Sequence, residues 1–210
     1  MTTPRRALVV IDAQREYFQG PLTVRHPPRE ESLANILAAL EAAERQGIPS
    51  VLVQHEFPEG APVFAAGSEG QRLQADVERW ADRASMSAVK SLASVFTAEG
   101  LLERLREQEV DTVTLVGYMT NNCLIGSAAA AEPLGLAVEV LSDATGAIHL
   151  ANEAGSASAR QIHETLMVLL HSNWAAVADT GSWLEAVADG RPLVRSDLGT
   201  SAVQGAAVFA

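Results

Sequence analysis

The chain has 210 residues, enough for one α/β domain with a sizeable core, and 48% of them are hydrophobic against 20% charged, as in an ordinary globular protein. Its net charge of −11 repels polyanions such as DNA, and no basic run offsets that field. A single cysteine rules out an intrachain disulfide and suits a reducing cytoplasm, while the first apolar run is too short for a signal peptide and no run approaches the about 18 apolar residues of a membrane helix. The expectation is a soluble cytoplasmic protein with neither nucleic acid nor membrane as partner.

Residues 7–11 (ALVVI) form a continuous apolar run ended by Asp12, the pattern of a strand buried on both faces. Leu33, Ile36, Leu37 and Leu40 recur at helical spacing, and Gly47-Ile48-Pro49 stops that helix. Residues 50–55 (SVLVQH) read as a second strand, and 56–71 as a long loop carrying Phe57 and Phe64, of a length that often serves function. A polar helix is expected over about 72–82, a short strand over 87–90, and another helix marked by Leu101, Leu102 and Leu105. Residues 112–116 (TVTLV) predict a third clear strand closed by Gly117, and the alanine-rich stretch from Cys123 to Glu132 a helix stopped by Pro133. A strand over 137–141, a long helix over 153–171, a strand over 175–178 and a helical turn or two over 183–187 complete the series. The reading is a domain over 1–190, with a tail over 191–210 that lacks periodicity and is either disordered or an arm reaching another subunit. Strands alternating with helices imply right-handed βαβ units and a parallel sheet covered on both faces.

Ligands bind beyond the carboxyl ends of such strands. Three ionisable residues fall at or near those ends: Asp12, Lys90 and Cys123. Each has a plainer role when taken singly: a turn cap, a surface charge, and a small buried hydrophobe. Lys90 is nevertheless the only lysine beside 14 arginines. Lysine is a compact charge with a tunable pKa, and arginine a wide fork that stays charged. Together the three have a chemical logic. A helix N-terminus and a lysine favour thiolate at Cys123, Asp12 accepts the thiol proton and later passes it to a leaving group, and backbone N–H groups before Cys123 form an oxyanion hole.

ALVVIDAQREYF near the start, AVKSLASVF in the middle, VGYMTNNCLIGSAAAA after the third clear strand, SDATGA and ARQIHETLMVLLH together resemble the isochorismatase-like cysteine hydrolases over about residues 5–188. The resemblance implies a Rossmann-like three-layer α/β/α sandwich with a mostly parallel six-stranded sheet, usually dimeric or larger. It implies an Asp–Lys–Cys triad at Asp12, Lys90 and Cys123. It also implies a non-proline cis peptide, by position Tyr118–Met119, with the N–H groups of Met119 and Cys123 as the oxyanion hole. Tyr17, Tyr118 and Asn122 are then placed in the substrate pocket.

The nicotinamidase branch carries an Asp and histidines as metal ligands after the second strand. Here that region reads VLVQHEFPEGAPVF, with His55 but no D-x-H pair, so neither metal nor cofactor is expected and His55 lines the pocket or meets a carboxylate. The presence of Cys123 favours acyl transfer. The expected reaction is hydrolysis of a small amide, ureido or imide C–N bond through a Cys123 thioester. The alternatives are isochorismatase-type vinyl-ether hydrolysis and a non-catalytic binding protein on the same fold. Neither a GxGxxG nor a P-loop is present, and a phosphatase using Asp12 would want an acid where Gln14 stands.

Overall fold

The computed structural model describes residues 3–210. Its strands are β1 (Arg6–Ile11), β2 (Ser50–His55), β3 (Met86–Lys90), β4 (Thr112–Tyr118), β5 (Ala137–Gly146), β6 (Leu150–Asn152), β7 (Gly155–Ala157) and β8 (Ala175–Ala178). Its helices are α1 (Glu16–Gln19), α2 (Arg29–Arg45), α3 (Ala75–Glu78), α4 (Leu101–Glu107), α5 (Ile125–Ala131), α6 (Ala159–Asn173), α7 (Thr180–Ala188) and α8 (Leu198–Val208). Among the described residues no helix is long and apolar enough to cross a membrane.

The apolar run of β1 is buried throughout, because it lies inside a six-stranded parallel sheet of order β3-β2-β1-β4-β5-β8 with helices on both faces. Alternate residues serve the two faces. Leu8 and Val10 pack with Ile36, Leu40, Trp183 and Val187 of α2 and α7. Ala7, Val9 and Ile11 pack with Leu101, Leu105, Ala128, Met167 and Leu170 of α4, α5 and α6. The three-layer sandwich predicted from the sequence is therefore the fold, and each of its six expected strands lies in the sheet.

From β1 the chain winds outward through β2 to β3, then returns to place β4 on the other side of β1. The strand order thus reverses between β1 and β4, which opens a crevice at their carboxyl ends. Gly117 makes the close approach there possible. Its φ is +96°, and a Cβ would lie 2.1 Å from the Ile11 carbonyl oxygen.

Several boundaries differ from the sequence reading. The expected helix over 72–82 is only α3 followed by turns, its start capped by Gln74. β5 continues past Leu141 through Ser142, Asp143 and Thr145, because the ladder with β4 resumes after an irregularity. α6 begins at Ala159, where Ser158 and Gln161 form a capping box, and the preceding residues form the β6–β7 hairpin. The tail carries a helix, α8, capped by Asp197 and without a buried residue. Ahead of it, the Arg191 carbonyl and the Leu193 N–H bind the buried Arg6–Glu139 pair, which ties the start of the tail to the sheet.

Candidate active site

Four strand ends supply the site. Asp12 follows β1 with a φ of +47°, a left-handed conformation that aspartate tolerates better than most residues. His55 ends β2 and is paired in register with Lys90, which ends β3. β4 ends at Tyr118, the Tyr118–Met119 peptide is cis, and a π-helical turn over Thr120–Leu124 brings Cys123 back into the crevice.

The structure brings Asp12, Lys90 and Cys123 together with His55 as a fourth member. The Lys90 ammonium donates to Asp12 Oδ2 at 2.7 Å and to Cys123 Sγ at 3.3 Å, and lies 2.9 Å from His55 Nδ1. An ammonium has three N–H donors and no lone pair, so three acceptors satisfy it and His55 Nδ1 must be one of them. Nothing dilutes these interactions with water: Asp12 is 0% exposed, Cys123 1% and Lys90 3%. Two atoms of the same group, Asp12 Oδ1 and His55 Nε2, are buried without a hydrogen-bond partner among the described residues.

Burial dominates the electrostatics. It pushes the Asp12 carboxyl above its ordinary value, with Lys90 pulling the other way. The Cys123 thiol is pushed up to about 12, first by burial and then by the Asp12 charge, again with Lys90 opposing. The resting cysteine is therefore a thiol: Lys90 favours thiolate, as expected, but burial and the Asp12 charge outweigh it. Asp12 and Cys123 hold one negative charge between them, opposite one lysine, and transferring the thiol proton to Asp12 leaves the site's net charge unchanged. His55 is held at about 4 by burial and by Lys90, so its ring is neutral near pH 7.

Asp12, His55 and Cys123 are metal-ligating types, and one ligand atom of each lies within 4.8 Å of the others. The place a cation would take among them is filled by the Lys90 ammonium. A divalent ion there would have to displace it, so the donor set does not fit a metal.

The other residues singled out from the sequence are placed as follows. Tyr17 is buried, with its ring 5.3 Å from that of Phe64 and 5.4 Å from that of Tyr118. Burial, then the Asp12 charge, push its phenol well above its ordinary value. His55 packs against Phe57 and Phe64, at ring distances of 4.5 and 5.3 Å, so the long loop closes over it. Met119 is buried beside the cysteine turn. Tyr118 departs from the expectation: its hydroxyl meets Ser32 of α2 at 2.6 Å, so only its ring faces the aromatic cluster. Asn122 is exposed on the same turn, and its neighbour Cys123 is buried.

Two supporting residues were not legible as such. Gln14 clamps the β2 end, donating to the His55 carbonyl and accepting from the His55 N–H, both at 2.8 Å. Ser127 donates to the Cys123 carbonyl at 2.6 Å and accepts from the Val95 N–H at 3.0 Å, joining the nucleophile turn to the loop after Lys90. Neither stands in a pattern that spacing alone marks, because both act through backbone groups that only the fold brings near.

The isochorismatase domain model matches residues 6–179. The chain belongs to the isochorismatase family. A solved isochorismatase-family protein from Burkholderia xenovorans LB400 is 45% identical, with 99% of each chain covered and a TM-score of 0.96. A secreted isochorismatase effector of Verticillium dahliae is 32% identical over 145 residues, 69% of this chain and 74% of that protein. A cysteine hydrolase from Pseudomonas syringae pv. phaseolicola, 18% identical over 90% of this chain and 95% of its own with a TM-score of 0.81, shares the fold. This isochorismatase-family hydrolase thus carries its Asp–Lys–Cys group at the switch point of the sheet.

Proposed function

We propose that this isochorismatase-family protein hydrolyses the C–N bond of a small neutral amide, ureido compound or imide through a thioester on Cys123. The observation that carries the reading is the Lys90 ammonium within hydrogen-bond distance of both Asp12 and Cys123, in a site closed to water. Asp12 takes the thiol proton as Sγ attacks the carbonyl carbon, and Lys90 stabilises the negative charge wherever it resides. The N–H groups of Met119 and Cys123 receive the oxyanion, at about 3–4 kcal/mol per donor. Asp12 then protonates the departing nitrogen, the C–N bond breaks and the thioester remains. A water that gives its proton to Asp12 attacks the thioester, releasing the carboxylic acid, and the proton returns to sulfur.

The charges around the site support a neutral substrate. Lys90 is taken by Asp12, while Arg15 and Arg72, which flank the loop, are paired with Glu69 and Glu78. A dicarboxylate such as isochorismate meets no free cation among these groups, which favours C–N hydrolysis over the vinyl-ether reaction.

The test is ammonia release from neutral carboxamides and ureides, and chromatographic detection of the ring-opened amide-acid from cyclic imides, which release no ammonia, with Cys123→Ser as control. Turnover of at least one class by the wild type, abolished in Cys123→Ser, is expected. No turnover across the panel, or turnover that survives Cys123→Ser, would sink the proposal.

A further inference from the structure

His55 has no part in the steps above, yet it is built into the site as firmly as the triad. The Lys90 ammonium 2.9 Å from its Nδ1 can only donate, so Nδ1 is the acceptor and a neutral ring carries its proton on Nε2. Its burial and the neighbouring lysine favour that neutral ring. The Nε2–H is consequently a buried donor, and it has no partner among the described residues. Leaving such a group unpaired is costly, and the rings of Phe57 and Phe64 against it offer at most a weak π contact. The donor is also fixed in place. Gln14 holds both backbone groups of His55, Lys90 holds Nδ1, and the two phenylalanines wall the ring. A rigid, unpaired donor on a ring that has a nitrogen within 4.8 Å of Cys123 Sγ is a preorganised recognition point.

We propose that His55 determines specificity in this site: its Nε2–H donates to a second acceptor on the substrate, distinct from the carbonyl that Cys123 attacks. The assignment rests on the amide, ureido or imide reading and narrows it to neutral compounds with two hydrogen-bond acceptors close together, small enough for the aromatic enclosure of Tyr17, Phe57 and Phe64. A compound lacking the second acceptor would bury the Nε2–H unpaired and be rejected for that reason.

Two inert probes test this on Cys123→Ala protein: succinimide and 2-pyrrolidinone, similar rings that differ by one carbonyl. Calorimetric titration is expected to show succinimide binding about tenfold or more tighter. His55→Asn keeps an oxygen acceptor near Nδ1 for Lys90 but has nothing at Nε2, and the preference is expected to fall to within about twofold. His55→Gln reaches the Nε2 position with its amide nitrogen and should retain the preference. Equal binding of the two probes by protein retaining His55, binding of neither, or an undiminished preference in His55→Asn overturns the assignment. Should the variants fail to fold, ¹⁵N NMR of histidine-labelled Cys123→Ala protein serves instead. An unprotonated Nδ1, with an Nε2 signal that moves with succinimide and not with 2-pyrrolidinone, supports the proposal; a protonated Nδ1 overturns it. A preference for succinimide without wild-type turnover of any amide would overturn the hydrolase reading and leave His55 as assigned. Amide turnover without the preference would do the reverse.

Discussion

Lys90 and Asp12, 78 positions apart in the chain, form a 2.7 Å ion pair in which neither side chain has any exposed surface. Two charges are kept out of water only when each is well partnered, and here the lysine also binds His55 and Cys123. The arrangement depends on a compact ammonium at the meeting point of three acceptors.

Lys90→Arg is therefore expected to be as inactive as Lys90→Met, with turnover reduced by at least about a thousandfold in both. A planar guanidinium cannot occupy a point from which Asp12, His55 and Cys123 are all within 3.3 Å. Lys90→Met leaves Asp12 buried without its counter-charge, so chemical denaturation should show a loss of about 3–5 kcal/mol unless the carboxyl takes up a proton. Appreciable activity in Lys90→Arg would show that charge alone suffices.

Acidification should destabilise the fold through its buried histidines. The His55 and His163 values, each about 4 in the folded protein against an ordinary 6.5, are depressed by burial, with Lys90 and His26 respectively adding to the effect. The unfolded chain binds protons first, so the stability is fully present above about pH 6.5 and is lost as pH falls through about 4. Asp12, with its raised value, acts in the opposite sense and offsets part of the loss. Melting temperature measured from pH 7.5 to 4.5 should fall. His163→Asn, which keeps an acceptor for the Thr120 hydroxyl, should flatten the slope. A profile that stays level or rises would refute this.

Tyr118→Phe should separate scaffold from pocket. Its hydroxyl serves Ser32 on α2, so the loss should appear as about 1 kcal/mol of stability with kcat/KM changed less than about threefold. A large fall in turnover at unchanged stability would return that hydroxyl to the pocket.

Removal of residues 197–210 should leave the melting temperature within about 3 °C, because α8 contains no buried residue. Removal of residues 191–210 should cost more, since the Arg191 carbonyl and the Leu193 N–H serve the buried Arg6–Glu139 pair. Scanning calorimetry of the two truncations checks the ordering.

The sheet was legible because its strands are short apolar runs, and runs buried on both faces need no pattern beyond hydrophobicity. Lys90 stood out as the only lysine, and Asp12 as the charge that ends β1. What escaped depends on contacts between distant segments. Nothing local tells the Tyr118 hydroxyl to seek Ser32, or leaves Asn122 exposed while Cys123 is buried. α8 escaped because a run such as LGTSAVQGAAV has neither a charge pattern nor an apolar stripe. How far the thiol is pushed up escaped because a motif gives the order of charges and not their depth. At full burial, desolvation and Asp12 outweigh Lys90.

The most direct test of the Cys123 nucleophile is mass spectrometry, after acidic digestion, of enzyme acid-quenched during turnover of the amide from the panel that releases ammonia fastest. The mechanism predicts an acyl adduct on the peptide containing Cys123, equal in mass to the substrate less ammonia, together with no adduct and no turnover in Cys123→Ala. Turnover that persists in Cys123→Ala would contradict it.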